Sequence, residues 1–387
     1  MIRSRSDLIK ARRIVIKIGS SLLADEEVGI RQEVIDHLAE EIAGLMGRGT
    51  QVAVVTSGSV ALGRVRLDWV NRELSVHEKQ AAAAIGQPKL MRAYGRAFER
   101  HGLSVAQMLL TKDDLRHRRR YLNASNTGET LFSSGVVPVV NENDTVVVEE
   151  IKFGDNDNLG ALVSLMIDAD LLVMLTDVDG LYEANPVIDG QAKRIGIVET
   201  LGREHLAMAG DSGSSFGTGG MASKLKAARI ASKGGVASAI ISGRKLDSLH
   251  RLLMGEDEGT LFLCSGNRQA RRSHWIADVL QPAGILHIDA GAARALLNQG
   301  GSLLPVGVTT VDGVFDKGDC VEVMSESAVI ARGLVNYSAE DMRRIKGCSS
   351  AEIESILGYR DFSSVVHRDN LVMMSEGTIS EVKTEES

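Results

Sequence analysis

The sequence predicts an α/β protein, an open and mainly parallel sheet sandwiched by helices, followed by a small, mostly β module. Three observations carry this. Short apolar runs, at 14–18, 51–55, 105–110, 136–140, 171–175 and 237–241, alternate with segments of helical periodicity. The runs are rich in Val, Ile and Leu with little polar alternation, as strands covered on both faces are. Past about residue 280 the segments shorten and Gly- and Pro-containing turns crowd in, the mark of a differently built unit.

A chain of 387 residues is long for one domain, and its 44% apolar content supplies a large core. We expect a first domain over 1–264, a polar joint over 265–280, a β module over 281–369 and a disordered, acidic tail over 370–387. Formal net charge is −7 with acids and bases intermixed, which argues against a nucleic-acid or membrane surface. The three cysteines, Cys264, Cys320 and Cys348, are far apart and unpaired in spacing, so neither a disulfide framework nor a zinc site is expected. No signal peptide and no apolar run of membrane-spanning length is present, so a cytoplasmic protein is expected.

In chain order, the run 14–18 is broken only by Lys17 and ends in Gly19-Ser20-Ser21. Two readings stand: an edge-strand lysine reaching water, or an ammonium beside a phosphate-facing turn. Residues 31–46 place Val34, Ile35, Leu38, Ile42 and Leu45 on one side of a helix. The strand 51–55 opens into Thr56-Ser57-Gly58-Ser59, which lacks the glycine two residues before Ser57 that a nucleophile elbow needs. Ser57 therefore reads as a substrate-binding residue. Residues 78–101 form an Ala-rich helix, and the basic run 116–120 reads as a solvated helical face. The strand 136–140 ends at Asn141-Glu142-Asn143-Asp144.

The stretch 153–182, FGDNDNLGALVSLMIDADLLVMLTDVDGLY, organises the rest. Its Asp-Asn cluster suits a helix start, and Leu159, Leu162, Val163 and Met166 give that helix an apolar face. A buried strand over 171–175 follows, with Thr176-Asp177 at its carboxyl edge, where open α/β sheets hold ligands. After surface turns to about 197, a glycine-rich loop over 210–223 runs into a helix over 224–233. Free N–H groups and the helix dipole there favour an anion, although the loop lacks a Walker A ending.

With Lys17-Ile18-Gly19-Ser20, Val55-Thr56-Ser57-Gly58, Asn141-Glu142-Asn143-Asp144, Gly154-Asp155-Asn156-Asp157-Asn158, Leu175-Thr176-Asp177 and Gly217-Thr218-Gly219-Gly220-Met221 in this order, the chain resembles the amino acid kinase family. Within it, the likeness is to the bacterial glutamate 5-kinases that carry a C-terminal PUA domain, and it extends from about Arg13 to Asp369. The resemblance implies phosphorylation of the γ-carboxylate of L-glutamate by ATP, the first step of proline biosynthesis. It implies that Lys17 and Lys224 contact the transferring phosphoryl group and that Asp157 orients them. Ser57, Asp144 and Asn156 would hold glutamate. Thr176, Asp177, Thr218, Gly219, Gly220, Met221, Ala222, Ser223, Lys224 and Lys17 would hold ATP. Mg²⁺ would be held mainly by the phosphates, with no protein metal site. Feedback by proline, hand-off to glutamate-5-semialdehyde dehydrogenase and a dimer or tetramer are also implied. The basic segment before Arg13 is not accounted for.

Two rival functions stand beside this one. The first is another carboxylate kinase of the same fold, acting on acetylglutamate or aspartate. The second is RNA binding through the PUA module, against which acids outnumber bases over 281–361.

Overall fold

In a computed structural model the described residues are 2–25, 29–70, 72–146, 156–184, 186, 188–208, 220–264, 280–326 and 328–374. The chain divides into two compact units, Met1–Lys112 with Asn123–Asn267, and Asp113–Leu122 with Arg268–Ser387. The sequence placed 113–122 in the first domain; its contacts gather with the second unit. The joint expected over 265–280 lies, except for Leu280, outside the described residues.

The first unit begins with a 3₁₀ turn, Arg5–Lys10, and runs through β1 (Arg13–Ile18), α1 (Ser20–Leu23), a small hairpin of β2 (Ala24–Asp25) and β3 (Gly29–Ile30), α2 (Gln32–Gly47) and β4 (Gln51–Val55). It continues with α3 (Ser59–Arg66), α4 (Val76–Glu99) and β5 (Val105–Leu110). Beyond α5 (Lys112–Arg116) and α6 (Arg118–Ser133) come β6 (Val137–Glu142), α7 (Asn156–Met166), β7 (Leu171–Thr176), β8 (Ile197–Val198) and α8 (Arg203–Met208). The last elements are α9 (Met221–Lys233), β9 (Ala237–Ser242), α10 (Ser248–Leu253) and β10 (Thr260–Phe262).

The sheet order is β5-β6-β4-β1-β7-β9-β10-β8, and every pairing but β9 with β10 is parallel. Side-chain alternation gives the sheet two functions. Ile14, Ile16, Ile18, Val173 and Leu175 point into the main core with Leu38 and Ile42 of α2, Tyr94 and Phe98 of α4 and Leu252 of α10. The intervening positions of β1 and β7, including Lys17, lie on the face covered by α7. That helix can sit close because Gly160 has no side chain; a Cβ there would lie 3.3 Å from Lys17 Cβ.

On the other side of the sheet, α3 and α4 cross at a glycine pair. A Cβ on Gly63 would come within 1.8 Å of the Ala82 carbonyl oxygen, and one on Gly86 within 1.8 Å of the Ser59 carbonyl oxygen. The helix α4 starts on a capping box, with Ser75 and Glu78 each accepting from the other's backbone N–H. The basic segment before β1 is anchored rather than loose. Arg5 donates to the carbonyls of Gly196, Glu256, Glu258 and Gly259 at 2.8–2.9 Å, and Leu8 is buried.

The second unit holds a five-stranded sheet of β11 (Gly284–Ile288), β12 (Val308–Gly313), β13 (Cys320–Ser325), β14 (Ala328–Val335) and β15 (Val366–Met373), ordered β12-β11-β13-β14-β15. Its pairings are antiparallel apart from β11 with β13. Leu286, Val321, Val323, Tyr337 and Ile345 centre its core. The strand β15 continues through Asn370–Met373, residues the sequence assigned to the tail; the tail from 375 on lies outside the described residues.

Candidate active site

Four parallel strands, β6, β4, β1 and β7, deliver polar side chains at their carboxyl ends. Lys17 is the penultimate residue of β1, opposite Val55 and Met174. It is 5% exposed, so of the two readings open from sequence the edge-strand one is excluded: β1 lies between β4 and β7. An ammonium so deeply placed needs a partner. Asp157, 1% exposed in the first turn of α7, supplies it, with Oδ1 2.5 Å from Lys17 Nζ.

Asp157 also takes a second cation. Lys224 Nζ, from the first turns of α9, lies 3.3 Å from Oδ2. Ser223 Oγ lies 2.6 Å from the same oxygen and 2.9 Å from the Gly220 carbonyl, so its one proton is divided between a carboxylate and a carbonyl. Burial alone would push the Asp157 carboxyl upward; the charges of Lys17 and Lys224 outweigh it and hold the carboxyl below the usual range. Two ammonium groups against one carboxylate leave the cluster net positive. The N-termini of α7 and α9 add the partial positive charge of a helix start. The arrangement is built for a polyanion.

Next in sequence to Asp157, Asn156 joins a second cluster. Its Nδ2 donates to the Thr56 carbonyl at 2.6 Å and to Asn141 Oδ1 at 2.8 Å, and lies 3.0 Å from Ser57 Oγ. Asn141 Nδ2 in turn donates to Gln87 Oε1 at 2.8 Å. Thr56 Oγ1 shares a 3.0 Å bond with the hydroxyl of Tyr94, a phenol that burial raises and keeps neutral. Asp144 is tied to the start of α3, where Ser59 Oγ donates to its Oδ2 at 2.9 Å. Burial raises the Asp144 carboxyl, and the Ser59 bond opposes that.

The structure thus joins Lys17, Asp157, Ser223 and Lys224 directly, and Ser57 with Asn156. Thr176 is buried at the end of β7, its Oγ1 turned 3.0 Å onto Asp177 Oδ1, while Asp177 itself is exposed. Gly220 caps α9, and Met221 and Ala222 form its first turn. Thr218 and Gly219 lie outside the described residues. Sequence reading missed Ser59, Gln87 and Asn141 as members of the site. The signal for two of them is a lone polar residue in an apolar setting: Gln87 after AAAAIG, and Asn141 at the end of VVPVV. A separate hollow of about 320 Å³ lies among Leu38, Glu41, Leu175 and Leu246 on the α2 side of the sheet, and none of the predicted site residues lines it.

The Amino acid kinase family pattern matches residues 12–242. The chain belongs to that family. The PUA domain pattern matches residues 284–357, inside the second unit. A glutamate 5-kinase of Citrifermentans bemidjiense is 50% identical over 372 residues, covering 96% of this chain and 100% of that protein. Another, of Geobacter sulfurreducens, is 50% identical over 368 residues, 95% of this chain and 99% of that protein. A third, of Chromohalobacter salexigens, is 48% identical over 372 residues, 96% and 98% respectively. Among solved structures, a UMP kinase from Bacillus anthracis matches 66% of this chain and 97% of its own, at 16% identity and a TM-score of 0.48. No helix among the described residues is long and apolar enough to cross a membrane.

Proposed function

We infer that the chain catalyses ATP-dependent phosphorylation of the γ-carboxylate of L-glutamate to L-glutamyl 5-phosphate, the entry to proline biosynthesis. The observation that carries the reading is the buried Lys17–Asp157–Lys224 cluster adjoining the Asn156–Ser57 amide and hydroxyl pair. Near-full-length relatives that are glutamate 5-kinases support the choice of substrate.

The chemistry follows from charge. A γ-carboxyl of ordinary pKa, about 4.3, is already ionised at neutral pH, so no general base is required. One of its oxygens attacks the terminal phosphorus of ATP, the bond to the bridging oxygen breaks, and ADP leaves with that electron pair. The obstacle is anion meeting anion. Lys17 and Lys224, held apart and aligned by Asp157, stabilise the charge spread over the transferring group, and the α7 and α9 N-termini add to it. Both Asp157 oxygens already face cations, so among the described residues the cluster offers a metal no carboxylate of its own. Mg²⁺ would be carried by the ATP phosphates and would supply charge neutralisation there. Ser57, Asn156 and Asp144 hold the amino acid, and Thr176-Asp177 with the segment 218–224 holds the nucleotide. The product is a labile acyl phosphate, whose consuming reaction is a reduction; a cytoplasmic homo-oligomer, open to proline feedback, completes this reading.

The test is steady-state ADP release with L-glutamate, N-acetylglutamate, aspartate and carbamate in parallel. Turnover on glutamate at least about 10²-fold above the others is expected; preference for any other acceptor would reject the assignment.

Ser57→Ala and Asn156→Ala are expected to raise the KM for glutamate about tenfold or more while leaving that for ATP within about twofold, because both sit on the acceptor side. A phosphoserine trapped at Ser57 would contradict this.

Asp144 gives a pH signature. Its carboxyl is raised, so it remains protonated to higher pH than an ordinary aspartate, near 3.9, and ionises as pH rises through the raised value. If the ionised form grips the α-ammonium, kcat/KM for glutamate climbs across that window and falls below it. Ser59→Ala removes the bond that favours ionisation and is expected to move the acid limb to higher pH, whereas Asp144→Asn abolishes it. An acid limb that Ser59→Ala leaves in place would detach Asp144 from substrate binding.

A further inference from the structure

On the reading that this site takes glutamate, we propose that Gln87 is a positioning residue for substrate recognition. It acts through Asn141 to hold Asn156 with its amide oxygen free for the α-ammonium group.

A side-chain amide has a donor end and an acceptor end of nearly the same shape, so its partners decide which end faces the ligand. The partners of Asn156 leave no choice. The Thr56 carbonyl can only accept, so the atom 2.6 Å from it is Nδ2. The second proton of that nitrogen lies between Asn141 Oδ1 at 2.8 Å and the more distant Ser57 Oγ at 3.0 Å, and the atom of Asn141 that faces it is therefore the oxygen. Asn141 Nδ2 must then face Gln87, and the atom that receives it at 2.8 Å is Gln87 Oε1. Direction thus propagates along three amides from a backbone carbonyl at the end of β4 to α4. Asn156 Oδ1 is the end of its amide that takes no hydrogen bond among the described residues, an acceptor suited to an ammonium donor.

Gln87 closes the relay at a cost that marks it. It is 8% exposed, and its Nε2 has no hydrogen-bond partner among the described residues. A buried donor left unmade costs free energy that an apolar side chain of the same size would not incur. Retaining glutamine is explained by its oxygen. Asn141 is 1% exposed, and without Oε1 its own Nδ2 would lose the acceptor that Gln87 provides. The side chain would rotate to recover one, releasing Asn156. The reacting cluster at Asp157 is connected to a different set of atoms, so binding should suffer and the chemical step should not.

The test is kinetic, using the full chain with Gln87→Met, which conserves length and apolar volume. Wild-type turnover on glutamate is measured first, because failure of the functional reading would appear there, whereas failure of the relay appears only in the variants. Expected for Gln87→Met is a glutamate KM raised about tenfold, with kcat and the KM for ATP within about threefold. The inhibition constant of glutarate, which has no α-ammonium, should be unchanged. In an Asn141→Ala background the further effect of Gln87→Met on glutamate KM should vanish. An unchanged glutamate KM, an equal loss of glutarate binding, or a full effect persisting without Asn141 would each overturn the proposal. If Gln87→Met does not fold, Gln87→Glu carries the test, since it keeps an oxygen for Asn141. Its glutamate KM should remain within about threefold of wild type, and a rise of tenfold in a folded protein would overturn the proposal.

Discussion

Asp157→Asn is expected to lower glutamate-dependent kcat by about 10³-fold or more, at the upper end of what losing one preorganised electrostatic contact costs. The substitution preserves shape and removes charge. Lys17 and Lys224, 5% and 6% exposed, would then face each other without a carboxylate between them. Removing one partner of a buried ionic cluster destabilises by about 3–5 kcal/mol, part of which the lysines recover by losing protons or swinging outward. Either response removes the aligned pair of ammonium groups on which the proposed transfer rests. The pH dependence has a definite sign. The folded-state carboxyl lies below its unfolded value, so its stabilisation is present above about pH 4 and fades as pH falls through the depressed folded value. Asp157→Asn should flatten the acid side of the stability profile as well as abolish turnover. Circular dichroism melts at several pH values alongside ADP release check both; a folded variant with kcat within tenfold of wild type would remove Asp157 from the mechanism.

A large effect on stability, of packing rather than charge, is expected at Gly86→Ala. Its new methyl would lie 1.8 Å from the Ser59 carbonyl oxygen and 2.9 Å from the Gly63 nitrogen. Both neighbours are backbone, so no rotamer change relieves the clash and α3 must move as a body. A cost of about 3 kcal/mol or more is expected, beyond ordinary overpacking because helix must separate from helix. At roughly 2–4 °C per kcal/mol for a unit of this size, the melting temperature should fall by about 10 °C. Function should suffer too, because α3 carries Ser59, which holds Asp144, and begins two residues after Ser57. Gly95→Ala in the same helix is the control. Nothing lies within 4 Å of a Cβ there, so it should be neutral or stabilising by about 0.5–1 kcal/mol, as alanine is over glycine in a helix. Equal melting temperatures for the two variants would show that the crossing tolerates a methyl group.

Much of this was legible in the chain before any coordinates. The parallel strands announced themselves because burial on both faces leaves an unbroken apolar run, and Lys17 stood out because such a run excludes a charge without a reason. Asp157 was placed at the helix start by its Asp-Asn neighbours, and Lys224 by the glycine-rich loop before it. What escaped notice depended on partners distant in sequence. The strand β6 was expected to stop at Val140, since Asn141-Glu142 looks like the start of a loop. It continues because Leu109 and Leu110 of β5 pair with those two residues and because Asn156 and Gln87 satisfy the Asn141 side chain. The α3–α4 crossing read only as an Ala-rich helix, because a glycine's missing methyl matters only once the opposing backbone is known. The stretch 113–122 has ordinary helical composition, and nothing local ties it to residues more than 150 positions away, where Gln281 N–H donates to the Arg116 carbonyl at 3.2 Å.

Direct transfer to a carboxylate is the central claim, and trapping the product tests it most directly. Enzyme, Mg-ATP and L-glutamate are incubated with hydroxylamine, which captures an acyl phosphate as the γ-hydroxamate, and hydroxamate is measured against ADP. The expected result is one hydroxamate per ADP with L-glutamate, none with N-acetylglutamate or aspartate, and loss of both products in Asp157→Asn. ADP released from wild-type enzyme with glutamate but without hydroxamate would mean that the phosphoryl group goes to water or to another acceptor, and the account would be contradicted.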